Sequence, residues 1–354
     1  MKKSELPQIK EIADALNLSP TTVSFVLNGR GDKMRIAKKT QERVRLEAQK
    51  RNYRPNIYAR RLRTRAGGLP DYVIACFWNV NMYVDEVMGS LIRSVHRFEE
   101  TNDITFELVI QPYTGGQLSE FKERISANRY NGIIFMGLQE EDMEFLEEQR
   151  FQIPIVVDNR HMEHYPCMMN DDFQSGVRVA QHFYDKGIMK VGILLADPNS
   201  HASSKRMEGF MSVVEKNGMT VRKGWIVESA LRGTEGGYTC AMQALNRANR
   251  PEGVFCIYGT GAAGVLKACE ELNIRVPQDI EIVAYGDMSG LKYVKPSISV
   301  IHVPILRNTE ATLGLLIHVI DCTEKSVAQE EEVWQDVLCE PEFIYRESSP
   351  APTE

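Results

Sequence analysis

The stretch that decides the fold is IKEIADALNLSPTTVSFVLNG, residues 9–29. Ile9, Ile12, Ala13 and Leu16 recur at the i, i+3, i+4, i+7 spacing of an amphipathic helix. Asn17-Leu18-Ser19 interrupts that pattern. Ser19 suits an N-cap, and Pro20 suits the first helical position, where its missing N–H costs nothing. The spacing predicts a second short helix from Pro20 to about Asn28. Val23, Val26 and Leu27 face inward, and Gly29 ends it as the residue after the C-cap. A third helix, from about Lys39 to Arg51, packs Val44 and Ala48. Two short helices joined by a three-residue turn form a helix-turn-helix, whose second helix has the dimensions of the DNA major groove.

Charge supports that geometry. Residues 1–65 carry 17 Lys+Arg against 6 Asp+Glu, a net of +11, while the other 289 residues carry −17. A basic module on an acidic body is the electrostatic footprint of polyanion binding, because neutralising phosphates releases condensed counterions. Thr21, Thr22, Ser24, Phe25 and Asn28 fall on or beside the exposed face of the second helix. Their hydroxyls and amide suit phosphates or base edges, and Phe25 suits a thymine methyl. The loop GRGDKMRIAKK, residues 29–39, reads as a basic loop near a DNA backbone rather than as an adhesion tripeptide. Further on, NYRPNIYARRLRTR (52–65) places Leu62 among Arg60, Arg61, Arg63 and Arg65, just before Gly67-Gly68-Leu69-Pro70.

IKEIADALNLSPTTVSFVLNG, followed by TQERVRLEAQKRNYRPNIYARRLR, resembles the DNA-binding headpiece of the lactose-repressor (LacI/GalR) family of bacterial transcription regulators. The likeness covers residues 8–64, with a loop after Asn28 a few residues longer than usual. It implies a hinge helix after Pro55 that forms when a dimer binds its operator. It also gives Leu62 a purpose: wedging between base pairs from the minor groove, where a few kcal/mol of unstacking is exchanged for a kinked duplex with more contact. The DNA-binding set so implied is Ser19, Pro20, Thr21, Thr22, Ser24, Phe25, Asn28, Arg54, Asn56, Tyr58, Ala59, Leu62 and Arg63. The partners implied are a near-palindromic double-stranded operator, a second copy of the chain, and a small-molecule effector such as a sugar.

From Tyr72 the pattern changes to alternating strands and helices. Val/Ile-rich runs at 72–78, 104–111, 132–138, 153–158, 191–196, 253–258, 280–285 and 298–304 alternate with helical patterns at 84–100, 173–185, 205–217, 236–248 and 262–273. Such βαβ alternation predicts parallel sheets covered on both faces, and its length predicts two lobes. The resemblance implies the same: an all-α helix-turn-helix headpiece on an α/β, periplasmic-binding-protein-like core of two doubly wound parallel-sheet lobes, with the effector in the cleft. The expected domains are the headpiece (1–53), hinge and linker (54–71), two-lobed core (72–346) and a disordered tail (347–354). No run of 18 apolar residues and no signal peptide is found. Seven unpatterned cysteines suggest reduced thiols. The expected location is the cytoplasm, with no membrane contact.

Three motifs compete within the body. GTGAAG (259–264) is a G-x-G-x-x-G after a strand, with Asp287 about one βαβ unit later, as in dinucleotide-binding loops. DNRHMEHYPC (158–167) gathers Asp158, His161, His164 and Cys167 at no recognised metal spacing. SHASSKRMEGF (200–210) carries Arg206 in the family's R-x-x-G-F. The resemblance implies an effector-binding set of Tyr83, Arg160, Ser200, Ala202, Arg206, Tyr258, Gly286 and Asp287. Two departures stand out: Tyr258-Gly259 replace the family's usual Asn-Asp, and Gly286 stands where an aspartate usually grips sugar hydroxyls. The expectation is a bulky or unusual effector, or little effector dependence. With no H-E-x-x-H, G-x-S-x-G or G-x-x-x-x-G-K-[ST], no enzyme, cofactor or metal is expected. The alternative is an NAD-type nucleotide-binding oxidoreductase using Gly259–Gly264; an exported solute-binding module is disfavoured by the missing signal peptide.

Overall fold

The computed structural model describes residues 9–27, 31–32, 34–51, 70–81, 85–127, 129–196, 200–229, 231, 233–324 and 336–352. The headpiece holds α1 (Ile9–Leu16), α2 (Pro20–Leu27) and α3 (Lys38–Lys50). Ile12, Ala13, Val23, Val26, Val44 and Ala48 close a small core, with Leu16, Leu18, Leu27 and Ile36 packed against it. The inward residues read from periodicity are therefore in the core or packed against it, and α3 lies one residue earlier at both ends than expected.

The first lobe is built from β1 (Tyr72–Asn79), α4 (Asp85–Asn102), β2 (Phe106–Tyr113), β3 (Gly132–Met136), α5 (Glu140–Gln149), β4 (Ile155–Asp158) and β5 (Cys167–Asn170). The second begins with α6 (Asp172–Asp185) and continues through β6 (Val191–Ala196), α7 (His201–Lys216), β7 (Ile226–Glu228) and α8 (Gly233–Leu245). It is completed by β8 (Gly253–Cys256), α9 (Ala262–Glu271), β9 (Glu281–Tyr285) and β10 (Ser299–His302). The chain then returns: α10 (Ile305–Glu324) packs on α4, β3 and β4 of the first lobe. β11 (Val337–Cys339) joins the first sheet and β12 (Glu342–Ile344) the second.

The strand orders are β11-β5-β4-β3-β1-β2 and β12-β10-β9-β8-β6-β7. Every pairing is parallel except β10 with β12. Both faces of each sheet are buried, as parallel sheets require. In β1, Ala75 and Phe77 enter one apolar cluster while Ile74 and Cys76 enter the other. The chain crosses between lobes three times, near residues 171, 303 and 340. The crossings are tied together: Asn308 Nδ2 donates to Asn170 Oδ1 at 2.7 Å, and Asp171 N to Cys339 O at 3.0 Å.

The expected disordered tail at 347–354 is corrected by the structure over 347–352. Ser348 and Ser349 are fully buried. Ser348 N donates to Ser297 O at 2.9 Å, and Ile282 N donates to Ser348 O at 3.1 Å. Small side chains let this segment seat its backbone at the open ends of β9 and β10, so a composition typical of disorder acts as a plug. Among the described residues, no helix is long and apolar enough to cross a membrane.

Candidate nucleic-acid interface and ligand cleft

Ser19 caps α2 as its position predicts. Its Oγ accepts from Thr22 N at 3.0 Å and lies 2.8 Å from the Thr22 hydroxyl. Ser19, Pro20 and Thr21 are exposed, whereas Thr22, Ser24 and Phe25 are half-buried. Phe25 is not among the side chains packed on the headpiece core. Asn28, Arg54, Asn56, Tyr58, Ala59, Leu62, Arg63 and Tyr83 lie outside the described residues.

The cleft-facing strand ends converge on Arg206. Its Nε donates to Asp172 Oδ1 at 2.8 Å and its Nη1 to Ile257 O at 3.0 Å. The guanidinium carbon lies 3.2 Å from the Tyr285 ring centroid and 5.7 Å from that of Tyr258. Burial opposes the charge, but Asp172 and the two tyrosines outweigh it and hold Arg206 above its ordinary pKa. This arginine is thus already bonded, and stacked, within the protein. Its partner Asp172 was not singled out by the sequence reading, hidden beside Asp171, which caps α6 by accepting from Gln174 N.

Arg160 comes from the first lobe, just after β4. Its Nε donates to Leu138 O at 3.1 Å and its Nη1 to Asn159 O at 2.6 Å, both neutral acceptors. Burial lowers its pKa, against the fields of Asp172 and Asp158. Burial also pushes the Asp158 carboxyl up to about 7, with Arg160 opposing and Asp172 adding to the rise. Across the cleft, His201 is lowered first by burial and then by Arg160. Asn159 Nδ2 reaches Asp172 Oδ2 at 3.2 Å, so one aspartate binds both a first-lobe amide and a second-lobe guanidinium.

Of the remaining expected ligand residues, Ser200 caps α7 and Ala202 is buried beneath it. The two glycine departures prove to be one contact. A Cβ on Gly259 would lie 2.5 Å from Gly286 O and 2.7 Å from Tyr285 O, and Gly286 itself sits at φ +90°. Two loops meet backbone to backbone where side chains would have stood. Asp287 is committed elsewhere: its Oδ2 accepts from Arg346 Nη2 at 2.7 Å.

GTGAAG finds its contacts within the protein. A Cβ on Gly264 would lie 1.9 Å from Thr234 O in α8, and one on Gly261 2.2 Å from Leu195 Cδ1. The glycines let α8, α9 and β6 approach, and the space a pyrophosphate needs at Gly261 is taken by leucine. The residues of DNRHMEHYPC separate: His161 bonds Asp336 at 2.9 Å, and His164 bonds Glu147. The Cys167 thiol donates to Tyr165 O at 3.0 Å. Among the described residues, no group of three His, Cys, Asp or Glu side chains is placed to hold a metal.

Comparison with known proteins adds two family matches. The profile for bacterial regulatory proteins of the lacI family matches residues 8–56, and that for periplasmic-binding-protein-like domains matches 180–349. A curated relative, the HTH-type transcriptional repressor PurR of Haemophilus influenzae, is 26% identical over 343 residues, covering 96% of this chain and 98% of its own. Among solved structures, a LacI family transcription regulator from Clostridium acetobutylicum superposes with a TM-score of 0.70 at 23% identity, over 77% of this chain and 99% of its own. A lac repressor dimer bound to operator and the anti-inducer ONPF gives 0.69 at 17% identity, over 98% of this chain and 100% of its own. At these identities the solved structures speak to the fold.

Proposed function

We propose that the chain, whose residues 8–56 match the lacI family of bacterial regulatory proteins and whose residues 180–349 match periplasmic-binding-protein-like domains, is a sequence-specific DNA-binding transcriptional repressor, acting in the cytoplasm as a homodimer on a near-palindromic operator. The observation that carries this reading is the capped helix α2 on a closed headpiece core, joined to a two-lobed body. α2 enters the major groove with Thr21 and Phe25 toward the bases, while Ser19 and Thr22 hold its N-terminus against the backbone. Leu62, flanked by arginines, wedges into the minor groove at the operator centre.

A small ligand in the inter-lobe cleft modulates DNA binding, with Arg160, Tyr258, Ser200 and Tyr83 around it. A simple sugar fits poorly. The acids that would grip its hydroxyls are replaced by the Gly259–Gly286 contact, Asp287 is paired with Arg346, and Arg206 is already ion-paired with Asp172. In this reading the chain catalyses no reaction and uses no nucleotide cofactor, since the GTGAAG glycines serve helix packing.

The deciding experiment is operator selection from a random duplex pool with the full-length protein, followed by affinities of wild type and Leu62→Ala. A palindromic winner with a central pyrimidine–purine step, and a marked loss in the variant, is expected. Equal binding to all duplexes would reduce the basic module to an electrostatic tether.

A further inference from the structure

The seven cysteines divide by environment. Cys76, Cys167, Cys240, Cys256 and Cys269 are buried, and burial pushes all five thiols up, which leaves them inert. Cys322 and Cys339 are partly open to solvent. They differ in what stands beside the sulfur. Cys339 Sγ lies 3.7 Å from Glu340 O, a carbonyl that takes no proton away. Cys322 Sγ lies 3.6 Å from His318 Nε2. The two side chains are four residues apart in α10, so the helix itself sets them on one face. His318 is exposed. The buried face of α10 is made by other residues: Leu316 and Ile320 reach to 2.8 and 3.1 Å from where a Cβ on Gly132 of β3 would stand. A thiol–imidazole contact that served the core would lie there, and this one does not.

We propose that Cys322 is a thiol-exchange site on the first lobe, where a small disulfide leaves half of itself on the chain and His318 carries the proton. The chemistry closes without another reactant. His318 Nε2 takes the thiol proton while Cys322 Sγ attacks one sulfur of the disulfide. The S–S bond of the small molecule breaks and a mixed disulfide forms at Cys322. The departing thiolate then takes the proton from the imidazolium and leaves as a thiol. Cys322 is thereby oxidised and the released half is reduced. An imidazole suits both halves of this exchange, because it accepts and returns a proton near neutral pH. Asp321 and Glu324 lie in the same last turn of α10, so a cationic disulfide approaches more readily than an anionic one.

The test exposes the full-length protein, without DNA, to cystamine, a dicationic disulfide, and follows adducts by intact mass and peptide mapping. Wild type, Cys322→Ser, Cys339→Ser and His318→Ala are compared. Wild type should take its first adduct on Cys322, at least about tenfold faster than on Cys339. That ratio is set below the roughly 10²–10⁴ of a base in an enclosed site, because this pair is open to water. Cys339→Ser should keep the fast phase and Cys322→Ser should lose it. His318→Ala places a good helix former on an exposed position, so the helix stays formed. It should slow Cys322 about tenfold and leave Cys339 unchanged. Free imidazole should restore the rate, a rescue that a packing role for His318 would not produce. Equal rates at the two cysteines, a first adduct on Cys339, or no adduct overturns the proposal. So does an unchanged rate in His318→Ala, or a loss that imidazole fails to restore.

Discussion

Replacing Arg206 with alanine separates two roles for one side chain. Its guanidinium and the Asp172 carboxylate are 5% and 8% exposed and 2.8 Å apart. Removing one member of a buried pair strands the other, at about 3–5 kcal/mol. Asp172 keeps the Asn159 amide at 3.2 Å, which places the cost nearer about 3 kcal/mol. A unit the size of the second lobe loses about 2–4 °C per kcal/mol, so the unliganded variant should melt about 6–12 °C below wild type. The assay is thermal unfolding of full-length wild type, Arg206→Ala, Asp172→Ala and the double variant Asp172→Ala/Arg206→Met, all without ligand. The double variant carries no stranded charge, so it should recover part of the loss, and the cycle reports the coupling. If unliganded Arg206→Ala melted within about 2 °C of wild type, the arginine would be a free ligand arm and the reasoning would be refuted.

Three further outcomes follow from the same structure. Ser19→Ala removes the Thr22 N–H acceptor and should weaken α2 by about 1 kcal/mol, read as roughly fivefold faster amide exchange in that helix; unchanged exchange would mean the cap is idle. Gly264→Ala drives a methyl toward Thr234 O and should cost about 1–3 kcal/mol in the unliganded protein, whereas a loop kept for nucleotide would show no such penalty without its cofactor. His182 is lowered from 6.5 to about 4 by burial and then by Lys186. The unfolded chain therefore binds the extra proton between those values, and stability present above pH 6.5 should fall as pH drops toward 4, by up to about 3 kcal/mol. His182→Gln should flatten that part of the pH profile, and an unchanged profile would place the acid sensitivity elsewhere.

What the sequence made legible was local. The α1–α2 turn is announced by Ser19 and Pro20, and α2's buried side at Val23 and Val26 follows from spacing alone. Eight strands were visible because each lies within an apolar run of six residues or more. β5, β7, β11 and β12 were not, because CMMN, IVE, VLC and EFI stand in no such run and owe their place to a neighbouring strand. Return of the chain to the first lobe through α10 is likewise a tertiary fact. In the cleft, Arg206 could be found from its motif, but Asp172, 34 residues earlier, could not, since pairing across that separation leaves no local mark. Gly259 and Gly286 each read as a lost acid. Only their spatial approach shows that one backbone contact accounts for both.

That contact and the Asp172 bridge together constrain how a ligand acts in the proposed regulator. A ligand shifts an equilibrium only by binding one lobe arrangement better than another. Asp172 already links Asn159, on the first-lobe side, to Arg206, in the second lobe. A ligand that recruits Arg206 must compete with that carboxylate, and thereby loosens the tie between lobes. A ligand that instead engages Arg160, whose Nε and Nη1 donate to neutral carbonyls, leaves the tie intact. An anionic or strongly hydrogen-bond-accepting ligand held through Arg160 therefore favours the arrangement in which the two lobes are bridged, whereas one held through Arg206 opposes it. Which arginine a ligand engages then determines the direction in which it drives the lobes.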